Sequence, residues 1–189
     1  DIQARSNLEQ GRSKSAAFRG REARLLAEAS GAGGIVFPKD LVDESVRRAE
    51  SAAFQARRSR VAEEVRVLRD QSAQKRGEIA EAESRRRNLL SELDVAKQQF
   101  RVIEGLSREN AASHLELLDS QSRVQRLSSQ IAEAESAIPR LRAAVAETES
   151  KAGEVWARYR AEASSELTQV RAELEKSEFE VDSNADRLE

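Results

Sequence analysis

Residues 105–118 read GLSRENAASHLELL, a brief run of small and polar side chains inside a chain that otherwise favours helix over long distances. Its residue types predict a reversal. After glycine, asparagine tolerates best the left-handed backbone that stops a helix, so Asn110 is the expected stop. Ser113 followed by Glu116 is S-x-x-E, a capping box that starts a new helix. Gly105 lies one turn earlier, inside the first of the two helices. The turn then occupies residues 108–112 and forms the tip of a hairpin.

The flanking sequences agree. From residue 40 a heptad frame runs to the tip. One set of seam positions is Ser51, Arg58, Val65, Ser72, Ile79, Arg86, Leu93 and Phe100. The other is Phe54, Val61, Leu68, Lys75, Ala82, Leu89, Ala96 and Ile103. Eleven of these sixteen are apolar and the frame never slips, which is the pattern of a coiled coil. Of the five polar members, Arg58, Ser72, Lys75 and Arg86 either set the register or face a third helix. Beyond the tip a second frame uses Leu117, Val124, Ile131, Ile138, Val145, Ala152 and Tyr159, with Leu127, Ala134, Leu141, Thr148 and Val155. After Tyr159 the apolar positions Ala163, Leu167, Val170, Leu174, Val181 and Leu188 are out of phase by one residue, which should relax the supercoil. Pro139 is expected to bend this helix without ending it. The arms, residues 40–109 and 113–189, are each ~100 Å long at about 1.5 Å per residue. Equal arms joined by a short turn fold back antiparallel. The alternative is one continuous rod that pairs with a second copy.

Upstream, residues 2–29 form a further helix with sparse apolar positions at Leu8, Ala16, Leu25 and Leu26. Residues 30–39 form an extended linker, because three glycines and Phe37-Pro38 cannot continue a helix. Gly31, Gly33 and Gly34 are not a phosphate loop: no strand precedes them and no Lys-Ser/Thr follows. Asp40 is the expected N-cap of the next helix, with Asp43 and Glu44 in its first turn. The simplest path sends the first helix alongside the arms and brings the linker back. Ile35 and Phe37 then pack on a three-helix base, with Arg58 and Ser72 near that layer. The expected fold is all-α, a single domain over residues 1–189: a long antiparallel coiled-coil hairpin with an additional N-terminal helix packed near its base.

Composition narrows function. Of the 189 residues 35% are charged and 4% are aromatic, as in long helices with a narrow apolar seam. The net charge of -2, with Glu and Arg alternating along the same helices, argues against a nucleic-acid partner. No apolar run reaches the ~18 residues of a membrane span. The chain starts at Asp1 with neither signal peptide nor initiator Met, and reads as a segment of a longer protein whose membrane anchor lies elsewhere. There is no cysteine, which removes thiol catalysis and zinc-cysteine sites. The lone His114 is expected to be solvated. Glu133 and Glu135 read as a charged helix face, and Trp156 and Tyr159 as seam residues, with a subunit interface as the alternative. No constellation supports an enzyme, a cofactor or a metal.

Three segments resemble a known family. REARLLAEASGAGGIVFPKDL (21–41) resembles the Arg-Leu-x-Ala-Glu stretch, glycine-containing segment and Ile-x-Phe-Pro-x-x-Leu motif of the haemolysin-D-type membrane fusion proteins. These are the periplasmic adaptors of type I secretion systems. LSRENAASHLELL (106–118) resembles their hairpin tip. DIQARSNLEQ and DSNADRLE, at the two ends, resemble the flanks of their helical domain, where the two halves of a lipoyl-like domain join. The resemblance implies a periplasmic protein anchored in the bacterial inner membrane. The implied partners are an ABC transporter in that membrane, a TolC-like outer-membrane channel and a secreted protein substrate. It also implies a homo-oligomeric ring, commonly a hexamer. In related adaptors an Arg, a Leu and a Ser or Thr at the tip contact the channel. Leu106 and Ser113 fit the Leu-x6-Ser part. The Arg position falls on Val102, and Arg101, Arg108 or neither takes that role. The implied tip set is Arg101, Leu106, Arg108, Asn110 and Ser113. The same hairpin logic would serve a multidrug-efflux adaptor, and a generic coiled-coil scaffold remains the unrelated alternative. The first helix and the Phe-Pro segment favour the secretion adaptor.

Overall fold

The computed structural model describes residues 2–186, and these form three α-helices: α1 (Ile2–Ser30), α2 (Glu44–Arg108) and α3 (His114–Asp186). The last expected seam residue, Leu188, and the end of the DSNADRLE segment lie outside the described residues. The chain divides into two compact units. One holds residues up to Arg66 and those from Ala152 onward; the other is Val67–Lys151.

The second unit is an antiparallel pair formed by the distal parts of α2 and α3. Heptad spacing directs its apolar side chains to one seam, where Leu89 and Ala96 of α2 pack with Leu127 and Ile131 of α3. Leu93 and Val124 flank that cluster. Ion pairs cross beside the seam: Arg86 to Glu135 at 2.9 Å, Arg142 to Glu83 at 3.2 Å, and Arg76 to Glu149. The seam arginine Arg86 therefore reaches the opposite helix. Ser72 is buried and its hydroxyl has no partner. It belongs to this unit, not to the layer around the linker where sequence reasoning placed it. Pro139 sits inside α3, which continues through it as a helix.

In the first unit three helices meet. α1 ends where Gly31 takes φ +70°. The Ala32 N–H then donates to the Ala27 carbonyl at 2.9 Å and the Gly31 N–H to the Glu28 carbonyl at 3.2 Å, a Schellman stop. Residues 32–43 form the linker. Ile35 and Phe37 are half-buried, but the buried anchor is Leu41, 2% exposed. Arg58, a seam position, donates to the Gly33 carbonyl at 2.8 Å and so ties the linker to α2. Asp40 does not cap α2. It pairs with Arg19 of α1 at 2.7 Å, and this guanidinium, with the backbone, holds its carboxyl below the ordinary range. The cap is Asp43, whose Oδ1 accepts the N–H groups of Ser45 (2.9 Å) and Val46 (3.3 Å). Asp40 is held by Arg19 and Leu41 beside it is buried, and α2 begins only after them, at Glu44.

α1 packs through Leu25, which is fully buried against Ala163, Leu167 and Val170 of α3. Leu26, expected to share that role, is 49% exposed; Ala23 and Ala27 are buried in its place. The one-residue phase change in α3 falls at this contact. Val155, Tyr159, Ala163 and Leu167 are spaced by four, and all four are buried.

The same layer holds a charged cluster built on the Arg and Glu of the Arg-Leu-x-Ala-Glu stretch, Arg24 and Glu28. Glu28 is 0% exposed and Arg24 is 7% exposed. Arg24 donates to Glu28 at 3.0 Å and to Glu50 of α2 at 2.6 Å. Burial works against the Arg24 charge, but the two carboxylates more than offset it and hold its pKa above the ordinary value. Arg57 lies 3.1 Å from Glu28 Oε2, at ion-pair distance but without hydrogen-bond alignment, and 3.4 Å from Glu166 of α3. Tyr159 is buried here in edge-to-face contact with Trp156 at 5.8 Å, under the Arg57 guanidinium.

Candidate partner-binding tip

α2 stops at Arg108 because Asn110 adopts φ 57°, the only non-glycine residue with positive φ among those described. The Ala111 N–H donates to the Leu106 carbonyl at 2.7 Å and the Asn110 N–H to the Ser107 carbonyl at 3.1 Å. This is the hydrogen-bond pattern that ends α1 at Gly31, with Asn in the glycine position. Three residues later α3 starts with a complete capping box. The Ser113 N–H donates to Glu116 Oε2 at 2.7 Å, and the Glu116 N–H donates to Ser113 Oγ at 3.2 Å. The helix ends on both sides of the turn are therefore satisfied by the turn itself. Nothing at the tip requires an outside partner in order to fold, which leaves its side chains available.

Those side chains divide into two kinds. Leu106 is 40% exposed, although it lies within the last turns of α2. Val102 is 62% exposed, Leu115 67% and Leu118 46%. Each is an exposed apolar side chain near the turn that the seam does not use. The polar members are more mixed. Arg108 pairs with Glu104 one turn back at 2.8 Å and remains largely in solvent. Arg101 is exposed on α2. His114 is exposed at the first position of α3. Of the expected tip set, Asn110 sets the turn through its backbone and Ser113 is engaged with Glu116 in the capping box. Leu106, Arg101 and Arg108 present outward.

Sequence reasoning singled out Leu106 and passed over Val102, Leu115 and Leu118. The signal was available. LELL places three leucines in four positions where the seam accepts only Leu117, and Val102 precedes the seam residue Ile103 instead of occupying the frame. Among the described residues no group of three or more His, Asp or Glu side chains is placed to hold a metal ion. No described helix is long and apolar enough to cross a membrane.

A family model described as AprE, long alpha-helical hairpin, matches residues 4–187. A solved structure with a similar fold is the crystal structure of the soluble domain of LipC, a membrane fusion protein of a type I secretion system. It superposes with a TM-score of 0.89 at 19% identity, over 99% of this chain and 91% of that one. No curated protein matches in sequence.

Proposed function

Because the chain belongs to the AprE long alpha-helical hairpin family, we propose that it is the helical segment of a type I secretion adaptor and that its tip docks on a partner protein. In this reading the full protein is anchored in the bacterial inner membrane and the hairpin lies in the periplasm. An ABC transporter is the inner-membrane partner. A TolC-like channel meets the tip, and the exported protein passes through a homo-oligomeric ring of adaptors, six copies being the expected number. The role is mechanical: the segment positions a surface and performs no bond chemistry.

The observation that carries this reading is the self-satisfied turn crowned by exposed Leu106, Leu115 and Leu118. Exposed apolar side chains at a rigid apex are costly in water unless something covers them, and helical ends of a channel offer such cover. Likeness in fold to the LipC soluble domain, whose description names type I secretion, supports it. Leu106 and Ser113 also stand at the spacing of the tip contacts in related adaptors, with Ser113 capping α3 at the same time.

The test is Leu106→Asp in the full protein. A half-exposed position accepts the change without unfolding α2, so helicity and expression stay at the wild-type level. Export of the secreted substrate should fall by at least tenfold, consistent with the loss of one central apolar anchor worth about 1.4 kcal/mol or more. Wild-type export by this variant removes the tip assignment.

A further inference from the structure

Between Val65 and Leu89 the seam positions of α2 are Leu68, Ser72, Lys75, Ile79, Ala82 and Arg86. Among these six, Ser72 alone is buried, and its hydroxyl has no hydrogen-bond partner. The seam nearer the tip is different: Leu89 and Ala96 are buried there against Leu127 and Ile131. Burying a hydroxyl without a partner opposes packing, where a buried leucine favours it. The other polar seam groups at this level turn back on their own helices. Lys75 pairs with Glu78 of α2 at 3.5 Å. Thr148 of α3 donates to the Ala144 carbonyl of the same helix at 2.8 Å. These bonds serve each helix singly and do not join the two.

The backbone is weak at the same level. Gly77 lies inside α2 between Lys75 and Ile79, and a β-carbon there would meet nothing within 4 Å. Packing does not call for a glycine here, in contrast to Gly20, where the Val46 side chain stands in the way. Glycine in a helix interior weakens the helix relative to alanine. A polar contact does cross between the helices, from Arg76 to Glu149, but both side chains are exposed and such a pair contributes little. What stays apolar nearby is the half-buried Ile79 and, on α3, Val145. A thin apolar seam, an unsatisfied hydroxyl and a helix-weakening residue thus coincide within residues 72–79. Each lowers the free energy of local opening.

We infer that residues 72–79 of α2, with the part of α3 that carries Val145 and Thr148, form a conformational device: an opening point built into the hairpin. Here the two helices part and close again while the cluster around Leu89 and Ile131 and the turn beyond it stay folded. The inference rests on the seam and on Gly77, and does not depend on the tip reading.

Amide hydrogen exchange on the full chain tests it. Residues 72–79 should exchange at least tenfold faster than residues 89–96 on one side and residues 54–65 on the other. The double substitution Ser72→Ala with Gly77→Ala removes the unsatisfied hydroxyl and the glycine together. It should slow exchange of residues 72–79 by at least tenfold and leave residues 89–96 unchanged. Gly105→Ala is the control. It adds a methyl group to the same helix, also into open space, and should not slow residues 72–79. Uniform protection along α2 overturns the inference. So does an equal slowing of residues 72–79 by Gly105→Ala and by the double variant, because exchange would then require the whole helix pair to open. Export by Leu106→Asp is read separately, so a failure of the opening point and a failure of the tip reading are distinguishable.

Discussion

Asn110 shows how much a single residue decides. Its φ of 57° stops α2, and the polar side chain is what makes that backbone tolerable for a residue other than glycine. Asn110→Gly should leave thermal stability within experimental error, whereas a β-branched Asn110→Val should lose about 1–2 kcal/mol. Equal unfolding midpoints for the two variants would show that the turn does not depend on this conformation. Tyr159 reports on the opposite kind of environment. Burial raises its phenol pKa first, and the nearby Glu28 carboxylate adds to that, against the lowering effect of Arg57. Because the folded value is raised, its stabilising effect is intact below the unfolded value of about 10 and disappears as pH climbs through the folded one. It is the only tyrosine in the chain, so phenolate absorbance reads it directly. The folded midpoint should lie above about 10 and fall on adding denaturant; a folded midpoint at or below the free-phenol value would contradict the burial. Asn110 and Ser113 were legible in the sequence because turn and capping chemistry is local. The environment of Tyr159 was not, since the carboxylate and guanidinium around it come from α1 and α2.

The elements differ in how clearly they announce themselves. α2 and α3 carry long heptad frames, and the seam they predict is the one that is buried: Val61, Val65, Leu89 and Ala96 on one helix, Leu127, Ile131, Ala134 and Val145 on the other. α1 announces its helicity but not its face. Its buried side is Ala23, Arg24, Leu25, Ala27 and Glu28, together with Gly20, so small and charged residues do the work that leucines do elsewhere. Gly20 is the clearest case. A β-carbon there would collide with the Val46 side chain and crowd Glu50 of α2. Gly20→Ala gains up to about 1 kcal/mol of helix propensity but overpacks a close contact, at a cost of about 1–3 kcal/mol. The net expectation is a lower unfolding temperature, read by circular dichroism. A variant more stable than wild type would mean that α1 and α2 can separate without loss.

At the scale of the whole molecule, two compact units use different physics. In Val67–Lys151 an apolar seam flanked by exposed ion pairs suffices, and the pairs themselves contribute little. In the other unit three helices converge on Glu28, which is fully buried and faces Arg24 of its own helix and Arg57 of α2, while Arg57 also reaches Glu166 of α3. Glu28→Ala strands buried guanidinium charge and should cost about 3–5 kcal/mol. Glu28→Gln keeps the volume and one acceptor and should cost less. Chemical denaturation separates the two, and equal midpoints would show that the carboxylate charge is not what holds the cluster. What the sequence by itself determined is the part governed by near neighbours: two heptad frames, a left-handed Asn, an S-x-x-E cap, and therefore an all-helical hairpin with its turn expected at residues 108–112, within a residue of the observed 109–113. Tertiary structure alone decided that Asp43 and not Asp40 caps α2, that Arg24 and Glu28 are interior, and that Leu26 is not. Those outcomes depend on which helix lies beside which. Burial of a charge is tolerable only when partners from other segments surround it, and no local pattern encodes that arrangement.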